Sequence, residues 1–129
     1  MKNIIAYYDN KPSLLESVGN GSYLYRFNIE QIKMENNDGE IKTQWKCEEV
    51  TVWEPLSRSS ITEAVITSKW DDNYEQKLIN EYNSAKLGVY GDPESEEAKE
   101  KILTYTSFLV ERKEIKEQIQ KDCEDLNIQ

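Results

Sequence analysis

From Ser22 the chain alternates strictly: Tyr23, Tyr25, Phe27 and Ile29 fall on one side, with Leu24, Arg26, Asn28 and Glu30 opposite. A period of two is the signature of a half-buried strand. Ahead of it, Ile4 to Tyr8 reads as a short strand ended by Asp9-Asn10-Lys11-Pro12, and Leu14 to Val18 as another before the Gly19-Asn20-Gly21 turn. Asn36-Asn37-Asp38-Gly39 marks a second hairpin. On the returning strand Ile41, Trp45 and Cys47 share one parity while Val50 and Val52 take the other, which predicts a bulge near Glu48-Glu49 or a change of neighbours there. Pro55 closes the β region. The expectation is an antiparallel meander of three or four strands over residues 1–55.

Beyond Pro55 the period becomes helical. Ser60-Ile61-Thr62-Glu63 has the form of a capping box for a short helix carrying Ile61, Ala64 and Val65. Asp72-Asn73-Tyr74-Glu75 opens a second helix with Tyr74, Leu78, Tyr82 and Ala85 at helical spacing and Gly88 as its stop. Pro93 suits the first turn of a third helix, whose stripe runs through Ala98, Ile102, Tyr105 and Leu109 and on through Phe108, Ile115, Ile119, Cys123 and Leu126. Asp122, Glu124 and Asp125 oppose the helix dipole, so its last turn is expected to fray. Roughly 32 helical residues span about 48 Å, more than the roughly 36 Å diameter of a compact chain this long. The helix therefore projects, bends near Thr104–Ser107, or packs on another subunit. Its distal half fits either a coiled-coil-like contact between copies or packing back onto the Asp72–Leu87 helix. The whole reads as one α+β domain over residues 1–129, with a β-rich part at 1–55 and a helical part at 59–127.

Composition then narrows the chemistry. The 129 residues are 32% charged and 37% hydrophobic, with a net charge of −9 and no histidine. Without histidine there is no Ser-His-Asp or Cys-His pair, and two cysteines cannot complete an ordinary zinc site. Cys47 and Cys123 match no metal-binding or redox spacing and read as buried apolar residues. Asn36 to Glu40 superficially resembles a calcium loop but lacks the required carboxylate spacing. Glu48-Glu49, beside Trp45 and Trp53, invites comparison with a sugar hydrolase, yet adjacent strand residues point to opposite faces and cannot flank one bond. No catalytic, cofactor-binding or metal-binding residues are therefore assigned. No run nears the roughly 20 apolar residues of a membrane helix, and the opening Met1-Lys2-Asn3-Ile4-Ile5-Ala6-Tyr7 lacks the form of a leader. A cytosolic protein is expected, contacting neither membrane nor nucleic acid directly.

Aromatics concentrate in the β region, and Tyr and Trp are favoured at interfaces. Tyr23, Tyr25, Trp45 and Trp53 are accordingly candidate interaction residues, joined by Ile115, Ile119 and Leu126 on the long helix.

Three stretches, Ile4-Ile5-Ala6-Tyr7-Tyr8-Asp9-Asn10-Lys11-Pro12, Trp45-Lys46-Cys47-Glu48-Glu49-Val50-Thr51-Val52-Trp53 and Tyr74-Glu75-Gln76-Lys77-Leu78-Ile79-Asn80-Glu81-Tyr82-Asn83, resemble small proteins encoded among the tail genes of phages and prophages of gut bacteria. That resemblance implies a virion, tail-associated or tail-assembly accessory role through protein contacts, with phage structural proteins as partners; the long helix itself is the element expected to carry self-association. The acidic charge supports a different expectation, a nucleic-acid mimic that inhibits a DNA- or RNA-binding protein.

Overall fold

The computed structural model describes residues 4–129, so Met1–Asn3 of the opening lie outside the described residues. The strands are β1 (Ile5–Tyr8), β2 (Leu15–Ser17), β3 (Ser22–Glu35) and β4 (Ile41–Trp53). The helices are α1 (Arg58–Lys69), α2 (Asp72–Lys86) and α3 (Glu96–Asp125). The chain is α+β, an antiparallel sheet followed by two shorter helices and one long one.

The strand order is β1-β4-β3-β2. The hairpins β2-β3 and β3-β4 form a meander, and β1 pairs with the far side of β4, giving a Greek-key order with its crossing connection first. That crossing is short. Three strand spacings amount to roughly 14 Å, and the six residues from Asp9 to Leu14 reach at most about 20 Å. The connection therefore runs straight over one sheet face, where Lys11 lies 5.6 Å from the Trp45 ring and the Leu14 carbonyl accepts from the Arg26 amide at 2.8 Å.

The bulge lies on β3 and not at Glu48-Glu49. Phe27 pairs with Glu48 and Glu30 with Lys46, so Asn28 and Ile29 oppose Cys47 alone. Asn28 takes a positive φ of 51° there, a conformation Asn tolerates better than most residues. β4 keeps its alternation throughout. The change of apolar parity between Cys47 and Val50 arises because β4 is covered on both faces, by helices on the Val50 side and by the Asp9–Leu14 crossing on the Cys47 side. The alternation expected through Ile29 stops at Phe27.

Three helix starts also differ from the expected ones. The α1 box is closed one turn earlier, Ser57 Oγ accepting from the Ser60 amide at 3.0 Å while Ser60 Oγ accepts from the Ser57 amide at 2.9 Å. Asp71 caps α2 through the Asn73 amide. Ser95 caps α3, which leaves Pro93 in the preceding turn. Gly88, with φ of +82°, follows the end of α2 as expected.

α3 serves two cores. Its distal residues Ile119 and Cys123, flanked by Ile115, pack with Ile61 and Val65 of α1 onto Tyr25, Phe27, Val50 and Val52 of the sheet. Its proximal half pairs with α2 around Phe108, Leu78, Ala85 and Ala98, all buried. Trp70 and Tyr74 meet the Phe108 ring edge-on at 4.9 and 5.8 Å, and Tyr82 tilts over Tyr105 at 5.1 Å. The ion pairs Arg112–Glu75 at 3.0 Å and Lys101–Glu81 at 3.8 Å flank this seam. The helix runs unbroken through Thr104–Ser107, where the Thr104 and Thr106 hydroxyls return to the carbonyls of Glu100 and Ile102. Its last turn is anchored rather than frayed, because buried Asp122 accepts from the Tyr25 hydroxyl at 2.5 Å and from Gln118 at 2.9 Å.

Candidate interaction surfaces

The crossing connection builds a buried polar centre on the sheet face away from the helices. Arg26 is only 2% exposed. Its Nε donates to Glu49 at 2.9 Å, Nη2 to Glu16 at 2.7 Å and to the Tyr8 hydroxyl at 3.2 Å, and Nη1 to the Ser13 carbonyl at 3.2 Å. The guanidinium also stacks 4.7 Å from the Tyr8 ring centroid, and the Tyr8 hydroxyl donates to Glu49. Burial works against the Arg26 charge, but its bonds to Glu16 and Glu49 outweigh burial and raise its pKa. Burial and Glu49 likewise push the Tyr8 hydroxyl above its ordinary value. With each of its three guanidinium nitrogens bonded, this centre fastens β1, β2 and the crossing connection to the sheet.

The expected interaction residues separate into distinct environments. Tyr25 and Ile119 are core and leave no surface for a partner of the folded chain. Tyr23 is half-buried on the helix-bearing face opposite Val52. Trp45 and Trp53 share the other face of β4, separated by roughly 26 Å of strand, with the Arg26 centre between them. Trp45 is half-buried near Lys11, whereas Trp53 is 61% exposed. Ile115 packs on the core, and Leu126 caps α3, half-buried. The seven residues therefore form no single patch.

Exposed apolar residues gather instead on two arms. The far end of the β3-β4 hairpin, beyond the bulge, carries Met34 and Ile41, the latter 71% exposed. Asn36 to Glu40 is its turn, closed by the Asn36 amide on the Glu40 carbonyl at 2.7 Å. The second arm is the α2-α3 hairpin. Its outer α3 face carries Leu103, 65% exposed, and Val110 one heptad on, with Leu87 and Val89 exposed at its tip. Leu103 and Val110 lie off the stripe that buries Ala98 and Phe108. Their spacing was readable in the sequence, but which stripe of α3 would remain uncovered was not.

Cys47 and Cys123 are free and buried on opposite sides of the sheet, Cys47 on the crossing face and Cys123 on α3 against the other face. Burial pushes both thiols above their ordinary value. Among the described residues no group of His, Cys, Asp or Glu is placed to hold a metal ion, and no helix is long and apolar enough to cross a membrane. Compared with family models, curated proteins and solved structures, the chain has no match.

Proposed function

We propose that this chain is a non-enzymatic protein–protein interaction module, working as a phage or prophage tail-associated protein or tail-assembly accessory. The observation that carries the reading is the pair of arms. A small closed core holds a β-hairpin and a helical hairpin whose outer faces expose Met34, Ile41, Leu103 and Val110. Apolar residues on protruding elements gain by burial against a partner, at about 25 cal/mol per Å² removed from water. The three quoted stretches add the resemblance to tail-gene products. Such a protein works in the cytosol during assembly or on the virion.

The mimicry reading draws less support. Glu16, Glu48, Glu49, Glu75 and Glu81 are each tied to a cation of the same chain, which removes them from a continuous anionic face. A pull-down from nuclease-treated lysate of the source organism separates the two. Recovery of phage structural proteins that resist high salt supports the module, because apolar contacts tolerate salt. Recovery of a nucleic-acid enzyme that salt removes supports mimicry.

A further inference from the structure

The groove between α1 and α3 reverses the sign of the chain. It is an open trough of about 710 Å³ lined by Arg58, Arg112 and Lys116, with Ile66 and Thr62 on its wall and Glu63 as its one carboxylate. The chain as a whole carries −9. Arg112 gives one donor to Glu75, while neither Arg58 nor Lys116 enters an ion pair among the described residues. The Nε atoms of both arginines are buried without an acceptor. Guanidinium groups carry five donors and no acceptor, and buried donors are normally paired. The groove sets three cations against one acidic side chain, with the hydroxyls of Ser59 and Thr67 and the amide of Gln120 between them.

The complementary surface lies at the far end of the same helix. Asp92, Glu94, Glu96 and Glu97 are all exposed at the tip of the α2-α3 hairpin, with exposed Leu87 and Val89 beside them. Among the described residues only Glu94 of these is ion-paired, loosely, with Lys99 at 3.6 Å. Roughly 24 Å of α3 separates Glu96 from Arg112 at 1.5 Å per residue, so a tip cannot reach the groove of its own chain.

We propose that the acidic hairpin tip of one copy docks in the Arg58–Arg112–Lys116 groove of the next. This rests on the reading of the chain as a protein-contact module and gives the self-association expected of its long helix a direction. The trough is open, which suits an element of a second copy better than a small molecule that must be enclosed. At about 0.1 M salt the screening length is roughly 10 Å, so the repulsion between whole acidic chains fades while close pairs persist. A head-to-tail contact of this kind propagates into a ring or a filament.

The test is sedimentation of the full chain across a wide concentration series, with two double variants. Arg58→Glu/Lys116→Glu destroys the groove and keeps the tip. Glu96→Lys/Glu97→Lys destroys the tip and keeps the groove. Circular dichroism checks that each folds, and Arg58→Gln/Lys116→Gln and Glu96→Gln/Glu97→Gln stand in for any that does not. The wild-type chain is expected to form larger species at about 0.1 M salt and to lose them at about 1 M, where the screening length is about 3 Å. Each variant alone is expected to be monomeric. Their mixture is expected to restore association, through the native tip and groove and through the reversed Lys tip and Glu groove. A mixture of the two Gln variants, which keeps one contact only, is expected to stop at a one-to-one dimer. A wild-type chain that stays monomeric overturns the contact while leaving binding to other proteins standing. Folded variants that still associate, or a mixture that stays monomeric, overturn it as well.

Discussion

Glu48 and Glu49 are neighbours in sequence and bind cations on opposite faces of the sheet. Glu48 accepts from Lys69 at the end of α1 at 2.8 Å, and Glu49 from Arg26 under the crossing connection at 2.9 Å. Glu48 also accepts from Asn28 in the bulge. One dipeptide therefore ties the helix layer to one face and the crossing strand to the other.

The two carboxylates differ in what their loss leaves behind. Glu49→Ala strips one of two carboxylates from a guanidinium that is 2% exposed and removes the acceptor of the Tyr8 hydroxyl, leaving Glu16 alone to balance the buried charge. The expected loss is about 2–4 kcal/mol. Glu48→Ala takes the acceptor from Lys69, whose side chain is 14% exposed, and from Asn28, at a cost of about 1–3 kcal/mol. Urea unfolding of the two variants checks the order.

Tyr25 and Asp122 couple the sheet to the end of α3, and the coupling sets an alkaline limit. Burial, then Asp122, raises the Tyr25 hydroxyl far above its ordinary 10.0. Above pH 10 the unfolded chain loses this proton while the folded chain keeps it. The stabilisation is thus fully present below pH 10 and is lost as pH rises beyond it. The buried thiols act with the same sign from their ordinary 9.0 upward. Tyr25→Phe is expected to flatten the alkaline limb of a stability–pH curve. It also removes a donor from buried Asp122, lowering neutral-pH stability by about 1–3 kcal/mol.

The helical arm has a core of its own, with Phe108 at its centre, separate from the sheet core. Phe108→Ala is expected to cost about 3–5 kcal/mol. Hydrogen exchange of the wild-type chain is expected to show α2 opening more readily than α1, since α1 lies on the sheet. Equal protection in the two helices would show that arm and core open as one unit.

Both thiols are enclosed and sit on opposite sides of the sheet. A thiol reagent is expected to modify Cys47 and Cys123 slowly in buffer and at once in denaturant, and oxidant is expected to produce no internal disulfide.

Much of this architecture is legible in the sequence because local chemistry states it. Tyr23, Tyr25 and Phe27 show the strand period, Asn36-Asn37-Asp38-Gly39 the hairpin and Gly88 the end of α2. What escaped depended on long-range placement. Arg26 stands where alternation puts a solvent-facing residue, and its burial follows from β1 and β2 occupying opposite sheet edges. The stripe on α3 reads as one continuous surface, yet Phe108 serves the helical arm and Ile119 the sheet core. Ile119 therefore reads as a contact residue in sequence and is a core residue in the fold. The outer face of Leu103 and Val110 became visible only once the buried stripe was fixed.

The claim that the arms carry partner contacts is tested most directly by placing a photo-crosslinking residue at Ile41, Val110 or Trp45, one at a time, and irradiating in lysate of the source organism during phage induction. Crosslinks from Val110 or Ile41 to phage structural proteins, with none from Trp45, are the expected result. Crosslinks confined to a nucleic-acid-binding enzyme, or none from either arm, would contradict it.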